Sequence, residues 1–277
     1  MSWEAWLLMA RSRAEDAVKA RESSIKKRLR RCVEELEAAR ERLKKALEEA
    51  RSLVRRAGEL SQLKHHLSQR LRQEERKLGE KINDVLARCS ELLQKDARLS
   101  EEAKHVEDLL EEAERCLKLG QVDRALDVSL QASRTLASFE VEARTLARRL
   151  EGFAGELEAE AKVLRSLTKR VDDDMKLASR VAVELAEGEE IRVSRACRLG
   201  ELGKGILIIT NKRLLFTGPS GRGMLEVPRS SVVLKASSRG LLGLGRKLIL
   251  DLGGREVKVS GDKEGLRSIE EELRGST

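Results

Sequence analysis

The side chains best suited to catalysis or metal binding in this chain are His65, His66, His105, four cysteines and the run Asp172-Asp173-Asp174. Cys32, Cys89, Cys116 and Cys197 are too widely spaced for zinc or redox pairs, and read as reduced thiols packed as small apolar residues. The histidines lie in charged helical stretches with no ligand set or triad pattern around them, and read as surface residues. The aspartates lack a calcium-loop glycine and read as solvated charge. No phosphate-cradling glycine loop is present. We therefore expect no catalysis, no cofactor and no metal.

Residues suited to binding are easier to find. The stretch RACRLGELGKG (195–205) offers Arg195, Arg198 and Lys204. The stretch SRGLLGLGRK (238–247) sets Leu241, Leu242 and Leu244 among glycines, with Arg239 before them and Arg246 and Lys247 after. Such a tip can dip into a bilayer or contact a partner, and each cation near an anionic surface adds roughly 1 kcal/mol. Alternatively the leucines fold back onto their own domain. Gly243 and Gly245 do not make a dinucleotide fingerprint, because the third glycine and the following helix are missing. Both tryptophans, Trp3 and Trp6, lie with Leu7 in the first turns of an apolar helix followed by Arg11 and Arg13. That pattern suits an interfacial helix or the capped end of a bundle.

Two regions must position these residues. The chain has 277 residues, of which 38% are charged and 2% aromatic, with no tyrosine. This balance suits extended helices better than one thick core. The formal charge is +8, and residues 188–277 hold 17 Lys/Arg against 11 Asp/Glu, so the excess sits at the C-terminal end. Both prolines and 15 of the 20 glycines also lie within residues 188–277. We read 1–187 as an antiparallel coiled coil and 188–277 as a small β-rich domain.

The heptads are explicit. Leu71, Leu78, Val85, Leu92, Leu99, Val106 and Ala113 recur every seven residues, and so do Leu136, Ala143, Leu150, Leu157, Leu164, Val171, Ala178 and Leu185. Ala147, Ala154, Ala161 and Ala182 are small companions that favour close helix packing. Gly120 marks the main turn, near 119–122. An earlier series, Val33, Leu36, Leu43, Leu47, Ala50, Val54 and Ala57, slips phase after Gly58 and regains it at Leu71. We read 2–118 as one helix with a local irregularity. The alternative is a second turn near 58–61, which would bring Cys32 close to Cys89.

After residue 188 the pattern changes to short strands at 190–198, 205–210, 213–217, 224–228, 231–237, 247–251 and 255–259, each bounded by turn residues. A last amphipathic segment, 262–274, takes Asp262 as its N-cap and turns Leu266, Ile269 and Leu273 inward. Within GILIITNKRLLF (205–216), Thr210-Asn211-Lys212 is a tight turn, Leu214 and Phe216 return as core, and Lys212 and Arg213 are solvated.

Seven strands closed by one helix, with EGEEI, GILIITNKRLLF and MLEVPRSSVVLKAS in succession, resemble the GRAM and bacterial-type PH-like domains over about 188–277. The resemblance implies a PH-like β-barrel. It also implies an acidic headgroup site at the loop after the first strand, where Arg195, Arg198 and Lys204 lie, or a protein contact, which such bacterial-type domains often serve. The fold class expected is thus α+β multidomain, a long antiparallel coiled coil followed by a PH-like barrel with a C-terminal helix. The function expected is a cytoplasmic scaffold or adaptor, peripheral to a membrane where it binds one. The barrel would target anionic membrane or a partner protein, and the coiled coil would set spacing and self-associate. The alternative is a nucleic-acid- or ribosome-associated basic rod, for which KKRLRR (26–31) could touch phosphates. The scarcity of aromatics argues against base stacking.

Overall fold

A computed structural model describes residues 3–181, 183–218, 223–239 and 246–275. Three long helices, α1 (Trp3–Leu60), α2 (Ser68–Lys118) and α3 (Val122–Ser179), precede a seven-stranded antiparallel sheet and a final helix α4 (Lys263–Arg274). The strands are β1 (Ile191–Leu199), β2 (Lys204–Thr210), β3 (Arg213–Thr217), β4 (Gly223–Pro228), β5 (Val232–Arg239), β6 (Arg246–Leu252) and β7 (Glu256–Gly261). By compactness the chain forms two units, Met1–Arg51 with Gly79–Glu160, and Ser52–Leu78 with Ala161–Thr277.

In the first, helical unit the heptad residues are the core. Val85, Leu99, Val106, Leu136, Ala154 and Leu157 are almost fully buried. Ion pairs fix the directions. Arg28 bonds Glu140 at 2.8 Å and Arg42 bonds Glu158 at 2.9 Å, so α1 and α3 run parallel. Lys26 with Glu114, Arg40 with Asp96, and Arg88 with Glu156 run in opposite order, so α2 is antiparallel to both. These exposed pairs report register more than stability. The turn between α2 and α3 is a Schellman motif: Gly120 at φ +73° donates to Leu117 O at 3.0 Å, and Gln121 donates to Cys116 O at 2.9 Å.

The single helix expected over 2–118 is not formed. It breaks between Leu60 and Ser68, later than Gly58, because residues 61–67 bond among themselves and to β1. Ser61 Oγ donates to Gly58 O at 2.9 Å, Ser68 Oγ to Leu63 O at 2.8 Å, and Arg72 Nη2 to Ser61 O at 3.0 Å. Ile191 N donates to Lys64 O at 3.0 Å and His66 N to Ile191 O at 3.1 Å, a one-residue parallel bridge. The later turn also shifts the helix register. Cys89 lines a groove with Leu43 and Leu47 of α1, Cys32 feels Glu140 and Arg144 of α3, and all four thiols are free.

In the second unit the sheet order is β4-β3-β2-β1-β7-β6-β5. The barrel expected from the sequence does not close, since β4 and β5 are edges with no ladder between them. Pro228 ends β4 without an N–H to donate, and the short turn Arg229–Ser231 carries the chain round a corner before β5 begins. One face of the sheet buries Leu199, Leu207, Ile209, Leu214, Phe216, Leu248, Leu250 and Val259 beneath Leu266, Ile269 and Leu273 of α4. Asp262 caps α4 by accepting from Gly265 N at 2.7 Å. On the opposite face, Ile191, Ile206, Ile208 and Leu215 pack against Ala178 of α3 and Val181 just beyond it. The β-bulge between Ile191 and Val193 puts these neighbouring odd-numbered residues into different cores.

Candidate functional site

Antiparallel pairing places directly opposed residues on one face. Lys204 opposes Arg198, Arg198 opposes Ser260, Ser260 opposes Lys247, and Lys247 opposes Ser238. These five form one row across β2, β1, β7, β6 and β5. The row lies on the face away from α4, because its strand neighbours Leu199, Val259 and Leu248 point into the α4-covered core. Lys204, Arg198 and Lys247 are exposed, as is Lys258, two residues along β7 on the same face. At about 4.8 Å per strand, Lys204 to Lys247 spans about 14 Å. None of these four cations forms an ion pair among the described residues. On the same face Lys235 is neutralised by Asp251 at 3.3 Å, and in the turns beyond the strands Arg255 reaches Glu201 at 3.9 Å. Like charges set side by side on strands repel, so the row costs stability and is a standing attraction for anions.

The other sequence candidates fall elsewhere. Arg195 stands on β1 itself, and its guanidinium is taken up by Asp174 of α3, by Ser194 O at 2.7 Å and by Ser268 Oγ at 3.2 Å. Arg239 and Arg246 oppose each other one step beyond the Lys247–Ser238 pair, at the ends of β5 and β6. Leu241, Leu242 and Leu244 lie outside the described residues, as does Ala182. Trp3 and Trp6 are exposed at the start of α1, the helix that also contains Leu7.

Sequence reasoning misplaced a group of polar residues as solvated. Asp174 and His65 are buried, and their side chains meet at 3.3 Å between His65 Nε2 and Asp174 Oδ2. His65 Nδ1 accepts from Leu67 N at 3.1 Å, which leaves the proton on Nε2, pointing at the carboxylate. Asp174 also accepts from Ser194 N at 2.8 Å. His66 is half-buried and hydrogen-bonded through Nδ1 to Ile191 O at 3.1 Å, and burial, with neighbouring His65, Arg192 and Arg170, lowers its pKa to about 4. His105 is exposed. The signal was the phase slip after Gly58, read above as a local irregularity; it marks a turn that folds onto β1.

In the turn Thr210-Asn211-Lys212-Arg213, Asn211 and Lys212 are exposed as expected, but Thr210 is buried and Arg213 half-buried. Arg213 clasps Glu189 with Nε at 2.8 Å and Nη2 at 3.0 Å, and Thr210 Oγ1 donates to the same carboxylate at 2.7 Å. Asn211 Oδ1 accepts from Glu190 N and its Nδ2 donates to Gly188 O, both at 2.9 Å, while Lys212 Nζ reaches Glu187 O at 2.5 Å. Burial alone would raise the Glu189 carboxyl, but Arg213, the Ala186 amide and Thr210 outweigh it and hold it below the usual carboxylate range. This cluster ties the β2–β3 turn to residues 184–190 and leaves no free cation there. Cys197 is inert, its pKa pushed up by burial to about 12.

No family model matches the chain, and no curated protein matches it. The solved structure of the Vav1 exchange factor, reported for the structural role of its PH and C1 domains, is similar at 12% identity over 87% of this chain and 82% of its own, with a TM-score of 0.25. At that score the likeness bears on neither fold nor function.

Proposed function

We propose that this protein is a non-catalytic scaffold or adaptor whose sheet module binds an anionic membrane surface through Lys204, Arg198, Lys247 and Lys258. The reading rests on one observation: exposed cations from two separate stretches of sequence converge on the sheet face away from α4, without ion pairs among the described residues. A flat row of this kind suits a plane of charge better than a single small ligand, which would need a concave site. We read the module as PH-like from its strand number, its strand order and its closing helix, and the helices as the part that sets spacing and self-associates.

Co-sedimentation of the full chain with phosphatidylcholine vesicles, with and without phosphatidylserine, tests the reading. Binding is expected only with the anionic lipid and is expected to weaken as salt rises. Replacing Arg198 and Lys247 by Gln should lower the affinity about 30-fold, at about 1 kcal/mol for each cation. Equal binding by this variant would refute the role of the row. Preference for duplex DNA over the anionic vesicles, with a steep salt slope, would instead favour the nucleic-acid alternative.

A further inference from the structure

The described side chains at the start of α1 lie outside the helical core. Arg11 Nη2 donates to Gly120 O at 3.1 Å, which sets the level at which α1 meets the α2–α3 turn. The first layer of core lies further in, where Val18 packs with Cys116 and Ala125. Every described side chain from Trp3 to Arg13 is exposed. The residues ahead of Arg11 thus extend past the turn by about 12 Å at 1.5 Å per residue.

This stretch is apolar. Trp3 is 71% exposed, Trp6 52%, Leu8 69% and Met9 43%, and Leu119 in the adjacent turn is 73% exposed. The two indole rings stack on each other, with centroids 5.4 Å apart. At about 100° per residue, Leu8 and Met9 sit about 140° and about 240° round the helix from Trp3. Apolar groups therefore face outward on all sides. A partner helix or a second copy of the chain covers one stripe of a helix and leaves the far side wet. A surrounding apolar medium covers all of them. Below the tip lie the exposed cations Arg11, Arg13 and Lys118, and Glu4 is the sole acidic residue before Glu15. No helix among the described residues is long and apolar enough to cross a membrane.

We propose that residues 3–10 form a lipid-inserting tip, which seats Trp3 and Trp6 at the interface of a bilayer with Arg11, Arg13 and Lys118 against its headgroups. Trp is suited to this place, because its ring is apolar and its indole N–H finds partners at the wet boundary. The tip acts by apolar insertion, whereas the cationic row on the sheet acts by charge.

The chain itself supplies the probe. It has two tryptophans and no tyrosine, so its indole emission comes from the tip alone. The full chain would be titrated with phosphatidylcholine–phosphatidylserine vesicles while tryptophan emission is followed. A blue shift is expected, together with quenching by lipids brominated on the acyl chain. Leu8→Ser keeps both reporters and lies outside every core layer, and it should weaken the partition about tenfold. The R198Q/K247Q variant separates this proposal from the preceding one, since it should still give the full blue shift once enough lipid is present. Sedimentation with vesicles without a spectral change would overturn the tip while sparing the sheet row. A blue shift that depends on protein concentration and not on lipid would also overturn it, in favour of a second copy.

Discussion

His66 illustrates how a residue can be misread from its neighbours in sequence. Apart from Leu67 and Leu71 its neighbours from Lys64 to Arg72 are polar, so it looks like the wet face of a helix, and nothing local points to Ile191, more than a hundred residues away. Asp174 likewise meets His65, more than a hundred residues away, and Ser194 and Arg195, about twenty residues on in a different element. By contrast Asp262 was legible, because a cap bonds within its own first turn. The state of His66 has a measurable consequence. An unfolded histidine titrates near 6.5, whereas folded His66 is held near 4, first by burial and then by the positive charge around it. Between these values the unfolded chain binds more protons than the folded one, so stability is lost as pH falls through the window and is level above it. After allowance for its partial exposure, the loss is about 2 kcal/mol. Urea unfolding at a series of pH values should show this limb, and His66→Asn, which can keep the bond to Ile191 O, should flatten it. The same slope in both proteins would assign the acid sensitivity elsewhere.

At the scale of elements, helix faces and strand bounds were readable because their periods are local. Leu71, Leu78 and Val85 were marked by heptad spacing alone and are buried, and the predicted strand at 213–217 has the observed bounds. What the period cannot give is which strand lies beside which. Arg198 and Lys204 were recognisable as basic, and so was Lys247, but their common row depends on β1 pairing with β7 and β7 with β6. Closure was misjudged for the same reason, since seven strands do not say whether the two edges meet. The β2–β3 hairpin shows how tightly register is enforced once chosen. Gly205 lies where a Cβ would come within 2.2 Å of Thr217 O and 2.5 Å of the Phe216 ring. Neither the backbone nor a fully buried ring can yield easily. Gly205→Ala should therefore destabilise the fold by about 3 kcal/mol, read as a lower urea midpoint with an unchanged slope. A loss no larger than that of an exposed strand glycine would mean that the ring moves aside.

The whole molecule divides in a way that the change in composition does not announce. Glycine and proline become frequent where the strands begin, yet the compact unit that holds the sheet also includes Ser52–Leu78 and Ala161–Leu185. Three sets of contacts explain this. Ile191, Ile206, Ile208 and Leu215 are covered by Ala178 and Val181 with Met175 and Leu177, Asp174 receives Arg195 and Ser194 N, and the α1–α2 turn bonds to Ile191. A fragment of residues 188–277 would lose all three. Uncovering that many apolar side chains costs about 4 kcal/mol or more, a large share of the 5–15 kcal/mol that holds a small domain together. The fragment should bind hydrophobic dyes and melt well below the full chain. A fragment of residues 161–277 regains Asp174 and the apolar cover but not the α1–α2 turn, and its melting temperature, followed by circular dichroism, should fall between the two. If the shorter fragment melted with the full chain, the sheet would be self-sufficient and the helix ends would merely rest on it. If instead the order holds, the helices and the sheet share one core, and any partner that bends the helix ends will be felt at β1, the strand that bears Arg198.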